Sequence, residues 1–378
     1  MKLEIGNDFG NSSVKMGIGE DIITQPSVYC AVNSLDHLDE ISSEYVLENI
    51  YDMLVVTIES TTLGNLPKTY YVGNYALTSG NYITNIGVGG LNDKANSDVP
   101  IIVSLAIIAA NAAKCTLASD SNIDSADVTV DLATAIPVSQ YSKSTAKMYA
   151  ERFMGSHKVT LYIGSKKFTT NIVISFAYVL PEGIPSMYYL TRKHSITELS
   201  KYNFKTAKIQ HVSIGEGTTE YPQTYDGVRF DSRYNFGDTS GVGKAAEKVM
   251  DTFIAKIGLA KYSRQELMNV IRNPKHKYHD IAAPLFDQAL EEQANVIMNQ
   301  IRKQLEQANF EVDYVLVYGG GSILMRKYLE AKLTAFTAPK SITTIFVPEE
   351  YAVILESLGL NAFVHTKVFA ALKKNSEN

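Results

Sequence analysis

The chain has 378 residues, 45% of them apolar and 20% charged, which excludes a single small domain and departs from the composition of disordered, coiled-coil or collagen-like chains. Lys and Arg total 35 against 40 Asp and Glu, a formal charge of -5. With no basic run to track a phosphate backbone, direct nucleic-acid binding is not expected.

The N-terminal MKLEIGND sets Glu4 and Asp8 where an export signal needs an unbroken apolar stretch, so no leader is expected. Leu3 and Ile5, then Val14, Met16 and Ile18, then Ile22 to Ala31 broken at Pro26, predict a strand, a tight turn, a second strand and a third. Residues 36–98 are irregular, with strand-like pieces at 53–59 and 68–74, and are expected to form a small subdomain inserted beside a sheet. Ser97, Asp98 and Pro100 cap an apolar tract at 101–113, read as a buried helix. Ser104 and Asn111 interrupt that tract, which falls short of the ~20 residues a bilayer requires, so no membrane anchoring is expected. Cys30 and Cys115 stand alone, without CxxC or Cys/His spacing, and fit a reducing cytoplasm better than a disulfide or zinc framework. DVTVDLATAIPV at 127–138 reads as a strand ending at Pro137, and Lys143 to Met154 as an amphipathic helix stopped by Gly155.

The second half repeats the plan. Residues 207–230 predict a strand, a glycine turn, a strand, an Asp226-Gly227 turn and another strand. Lys244 to Ile257 carries apolar residues at helical spacing before Gly258, and Pro284 is expected to open a long helix at its first turn, running to about Asn309. VDYVLVYGGGS then gives a near-continuous apolar strand at 312–318, three glycines and a helix from Ser322; such a strand suggests a sheet covered on both faces.

Placing Gly10 over Gly215 aligns DFGNSSVK at 8–15 with SIGEGTTE at 213–220. In each, a strand enters a glycine turn rich in hydroxyls and leaves as a strand. Glycine permits positive φ, successive N–H groups in such a turn can converge on one anion, and Ser or Thr adds donors. Two facing loops of this kind would grip a polyphosphate. The strand into Gly319, Gly320 and Gly321 adds bare backbone and a helix N-terminus. By contrast, GDTSGVGKA at 237–245 has five residues between Gly237 and Gly243, and Ala245 where a P-loop needs Ser or Thr. His276 and His279 lack a nearby third metal ligand, and the Lys373-Lys374 ending reads as a solvated tail.

Taken in this order, the motifs resemble the actin, sugar kinase and chaperone ATPase superfamily, and within it the ParM-type plasmid-segregating bacterial actins. DFGNSSVK resembles the first phosphate loop, IGEGTTE the second, YGGGS the adenosine motif, VLPEGIPSMYYL at 179–190 the connecting segment that carries a catalytic residue, and GLNAF at 359–363 the closing helix.

The resemblance implies an α/β fold of two actin-like, ribonuclease H-like domains with a nucleotide cleft between them. Domain I would span 1–180 plus 345–378 with the insert at 36–98, and domain II 181–344 with a helical subdomain at 244–309. It implies ATP, or GTP, with Mg2+. Asp8 would hold the metal through water, with Gly10, Asn11, Ser12, Ser13 and Lys15 around the phosphates. Gly215, Glu216, Gly217, Thr218 and Thr219 would form the second cradle. Gly243, Arg272, Gly319, Gly320, Gly321 and Ser322 would approach the nucleoside, and Glu182 would orient the attacking water. Where the family has Asp at the start of the second loop, this chain has Ser213; Glu216, three residues on, is expected to approach the metal waters instead. The functional expectation is an ATPase that polymerises with itself into filaments and releases them after hydrolysis, moving plasmid DNA through a DNA-binding adaptor at a centromere-like site. A sugar or acid kinase of the same superfamily is the alternative. With the closing helix within twenty residues of the last residue, a chaperone's substrate-binding domain is not expected.

Overall fold

The computed structural model describes residues 1–376 apart from 34, 36–39, 87–93, 193–195, 261 and 263. The chain divides into two compact units: Met1–Ile136, Gln140–Pro181 and Glu356–Asn378 form the first, Pro137–Ser139 and Glu182–Leu355 the second.

The first unit is built on a ten-stranded sheet. Its centre is Lys2–Phe9, parallel to Ser125–Ile136, which is itself parallel to Lys166–Pro181. Ser13–Ile18 and Asp21–Pro26 continue one edge antiparallel. On the other side Gly155–Ile163 pairs antiparallel with Lys166–Pro181 and then with Val55–Ser60. Lys68–Val72, Val28–Val32 and Thr84–Asn85 follow, so the stretch expected as an inserted subdomain extends this sheet; its residues 36–39 and 87–93 lie outside the described residues. After the helix Lys143–Phe153, the strand Gly155–Ile163 opens on Gly155, whose φ of 115° is open chiefly to glycine.

The predicted buried helix runs Val99–Ser119. At 21 residues it is long and apolar enough to cross a membrane by length and composition. Here every residue from Val99 to Ala110 is buried in the core of the first unit, which explains why it is apolar all round. The closing helix lies across the first hairpin where Gly6 and Gly17 face each other; a Cβ at Gly6 would collide with the Asn361 backbone. Ser357 and Asn361 donate to the carbonyls of Lys15 and Gly19 at 3.0 and 2.8 Å. The C-terminus is not a solvated tail: Lys367–Ser376 is a helix, and Lys373 meets both oxygens of buried Asp131 at 2.6 and 2.8 Å.

The second unit carries a seven-stranded sheet. Ile209–Ile214, Tyr314–Tyr318 and Thr343–Phe346 run parallel, and Thr219–Glu220 and Gln223–Tyr225 flank the first of these antiparallel. Pairing through Thr343–Phe346 keeps residues 345–355 with this unit. The apolar strand is covered on both faces as expected, with Val315 and Val317 in one core cluster and Leu316 and Tyr318 in another. The first of these clusters includes residues of the helices Gly243–Ile257, His279–Gln307 and Gly320–Thr337. Pro284 sits inside the long helix rather than opening it. Tyr278, which accepts from Ile281 and Ala282, starts the helix earlier, and the proline forgoes one hydrogen bond near that end.

Candidate functional site

The two glycine turns have the same internal geometry. Gly10 N–H donates to the Ser13 carbonyl at 3.0 Å, and Gly215 N–H to the Thr218 carbonyl at 2.9 Å. Each turn thus closes over four residues, and a Cβ at either glycine would press on the accepting carbonyl, at 2.9 and 3.1 Å. Among the described residues no backbone acceptor takes the N–H groups of Asn11 and Ser12, or of Glu216 and Gly217. In the first turn Ser27 holds the carbonyls, its hydroxyl donating to Gly10 at 2.6 Å and its N–H to Ser12 at 3.1 Å. Carbonyls are engaged and N–H groups left over, the polarity of an anion cradle.

Register extends the equivalence beyond the turns. Asp8 faces Lys15 across the first hairpin, with Lys15 Nζ 3.7 Å from Asp8 Oδ2 and both side chains 12% exposed. Ser213 faces Glu220 across the second. The carboxylate absent at Ser213 therefore reappears across the ladder at Glu220, a residue that motif reading missed although the alignment of Gly10 with Gly215 sets it over Lys15.

Around the second turn the expected residues converge within their unit. Gly243 N–H donates to the Glu216 carbonyl at 2.8 Å and Val242 N–H to Gly215 at 3.1 Å, so the start of the helix Gly243–Ile257 is tied to the loop. Gly241 lies against Glu216 with no room for a side chain. Gly319, at φ 90°, packs on Ile214 and donates to the Ala352 carbonyl at 2.9 Å, while Gly320 faces open space. The Ser322 hydroxyl is spent on the Gly319 carbonyl at 2.7 Å. The Glu216 carboxylate pairs with Arg264 at 3.1 Å, and Arg264 also meets Glu247 at 3.2 Å. Arg272 is exposed at the far end of that same helix, Arg264–Arg272, whose beginning is the part joined to the loop. Among the described residues no group of three or more His, Cys, Asp or Glu is arranged to hold a metal ion.

Glu182 follows the long strand and precedes Gly183, at φ 97°, which is wedged against Pro222. Burial and then the Glu182 charge push the fully buried Glu220 carboxyl well above the usual carboxylate range. Burial alone pushes His211, on the strand leading into the turn, down to about 3. That imidazole is neutral and bonds Thr224 at 2.9 Å, so it adds no charge to the site.

Residues 6–184 match the family model for the N-terminal domain of actin-like proteins, and residues 211–331 that for the C-terminal domain of archaeal MreB-like actin homologues. The chain belongs to the actin-like proteins. The two-domain actin-like fold expected from the motifs is the one observed. Among solved structures, the actin-like chain is similar to actin-like protein Alp7A, at 16% identity over 100% of both chains with a TM-score of 0.75. Bacillus thuringiensis ParM with ATP matches at 14% identity over 98% of this chain and 99% of that one, TM-score 0.63. Ta0583, an archaeal actin homologue, matches at 16% identity over 96% and 98%, TM-score 0.64. No curated protein matches the chain. At these identities the likeness of the actin-like chain to solved structures is one of fold.

Proposed function

We propose that this actin-like chain hydrolyses a nucleoside triphosphate, ATP or GTP, and assembles with itself into filaments that loosen after hydrolysis. Its cellular task in this reading is plasmid DNA segregation in the cytoplasm, through a basic adaptor protein suited to its charge of -5. The observation that carries the reading is the pair of equivalent turns, Gly10 to Ser13 and Gly215 to Thr218, each with N–H groups that have no backbone acceptor among the described residues. A Bacillus thuringiensis ParM of the same fold has been solved with ATP, ADP and AMPPNP, which supports a nucleotide here.

The donor set suits a magnesium-chelated triphosphate. Asp8 supplies a hard carboxylate through which Mg2+ would be held by way of water, and the metal when bound neutralises phosphate charge. Lys15 adds a cation at the mouth of the first turn; at 4 Å and an effective dielectric of 20 a unit pair interacts by roughly 4 kcal/mol before desolvation. Asn11, Ser12, Ser13, Glu216, Gly217, Thr218 and Thr219 offer N–H or hydroxyl groups to the phosphates, and the Gly319 to Gly321 turn offers bare backbone to the nucleoside. Glu216 enters this reading as a residue that shapes the loop: its carboxylate is paired with Arg264 and so is poorly placed to serve the metal. Glu182 orients the attacking water, since phosphoryl transfer asks the protein mainly for positioning and charge stabilisation. Self-assembly head to tail uses a heterologous contact that does not close, hence a filament.

Phosphate release from Mg-ATP tests the reading. The wild type turns over, and Glu182→Ala slows turnover by roughly 100-fold while retaining nucleotide. No turnover, together with phosphorylation of a small acceptor, would replace the filament reading with the kinase one.

A further inference from the structure

The hairpin bearing the second turn holds a carboxyl group that the reading above leaves without a task. Glu220 is 1% exposed. Its Oε2 accepts the Val138 N–H at 3.1 Å, the Ser139 N–H and the Thr218 hydroxyl lie beside it, and no side chain at Gly237 would fit against it. Its Oε1 is buried and has no hydrogen-bond partner. An ionised carboxylate at that depth needs both oxygens satisfied, and leaving one bare is costly. A neutral carboxyl carries its proton on one oxygen and has an O–H to give. The charge acting on it is that of Glu182, a half-buried carboxylate in the same unit.

We propose that Glu220 is a positioning residue: as a neutral carboxyl it braces the Thr218 turn and the 137–139 segment beside Glu182. Two nearby carboxyl groups in unequal environments divide the roles of acid and anion, with the more buried one keeping the proton. Thr218 belongs to the phosphate turn, so Glu220 is bonded to the loop that would feel the triphosphate and lies within electrostatic reach of Glu182. The role in turnover rests on the hydrolase reading; the protonation of Glu220 is a property of the chain alone.

Infrared spectroscopy of the full chain at neutral pH tests the protonation. The wild type shows a carboxylic-acid C=O stretch that Glu220→Gln lacks; spectra without that difference would overturn the proposal. Turnover tests the positioning. Glu220→Gln, shaped like the neutral acid, keeps kcat within about twofold, whereas Glu220→Ala loses tenfold or more with KM little changed, which at roughly 1.4 kcal/mol per decade is a readable loss. A Gln variant as slow as the Ala variant, or an Ala variant as fast as wild type, would refute it. Should the Ala variant fail to fold, the infrared comparison and the Gln turnover decide. A wild type that hydrolyses no triphosphate would remove the proposed function, yet the infrared difference would still report the state of Glu220.

Discussion

Lys15 and Asp8 lie opposite each other at the base of a four-residue turn, each 12% exposed and 3.7 Å apart. A cation held that close to a carboxylate, beside N–H groups with no backbone acceptor among the described residues, favours a polyanion that draws the ammonium forward. Lys15→Ala removes one unit charge and leaves Asp8 without its counter-ion. Triphosphate affinity, measured by calorimetry with a slowly hydrolysed analogue, is expected to fall by roughly 10- to 100-fold. An unchanged affinity would take Lys15 out of the site. Glu216 illustrates the opposite case, a loop carboxylate already neutralised from within its own unit by Arg264. Its partner comes from a helix 48 positions away that carries no motif, so spacing alone could suggest a metal role but not reveal the ion pair.

At the scale of elements, the C-terminal helix Lys367–Ser376 is fastened by one buried charge pair. Lys373 reaches Asp131 on the parallel strand Ser125–Ile136, with Lys2 also 3.5 Å from that carboxylate. Phe369 adds an apolar anchor against Phe176 and Phe363. Removing one partner strands a buried carboxylate, so Lys373→Ala should lower unfolding stability by roughly 1–3 kcal/mol, the remaining Lys2 softening the loss. Denaturant titration measures it, and an unshifted midpoint would show the helix to be only lightly docked. Lys373 looks solvated in sequence because its partner Asp131 lies 242 positions away. The glycine hairpins, the buried helix and the strand ending in three glycines were legible because local chemistry dictates them: a turn needs glycine, and a strand buried on both faces needs apolar residues throughout. The hairpin Gly155–Ile163 to Lys166–Pro181 was not read. Its second strand buries Thr170 and exposes Val173, which blurs the alternation that would have announced it. Glu220 was visible only through register, since its importance comes from what lies across the ladder and beside it rather than from its neighbours in sequence.

At the scale of the whole molecule, two units each supply a turn of one geometry, on sheets of ten and seven strands. A ligand favours assembly only by binding the assembling state more tightly, so nucleotide must change self-association and not merely occupy the chain. Sedimentation of the purified full-length protein with Mg-ATP, with a slowly hydrolysed analogue, with ADP and without nucleotide tests this most directly. Protein should pellet above a critical concentration with ATP or the analogue, persist longest with the analogue, and stay in the supernatant with ADP or alone. Equal pelleting in all four conditions, or none in any, would contradict a nucleotide-driven filament.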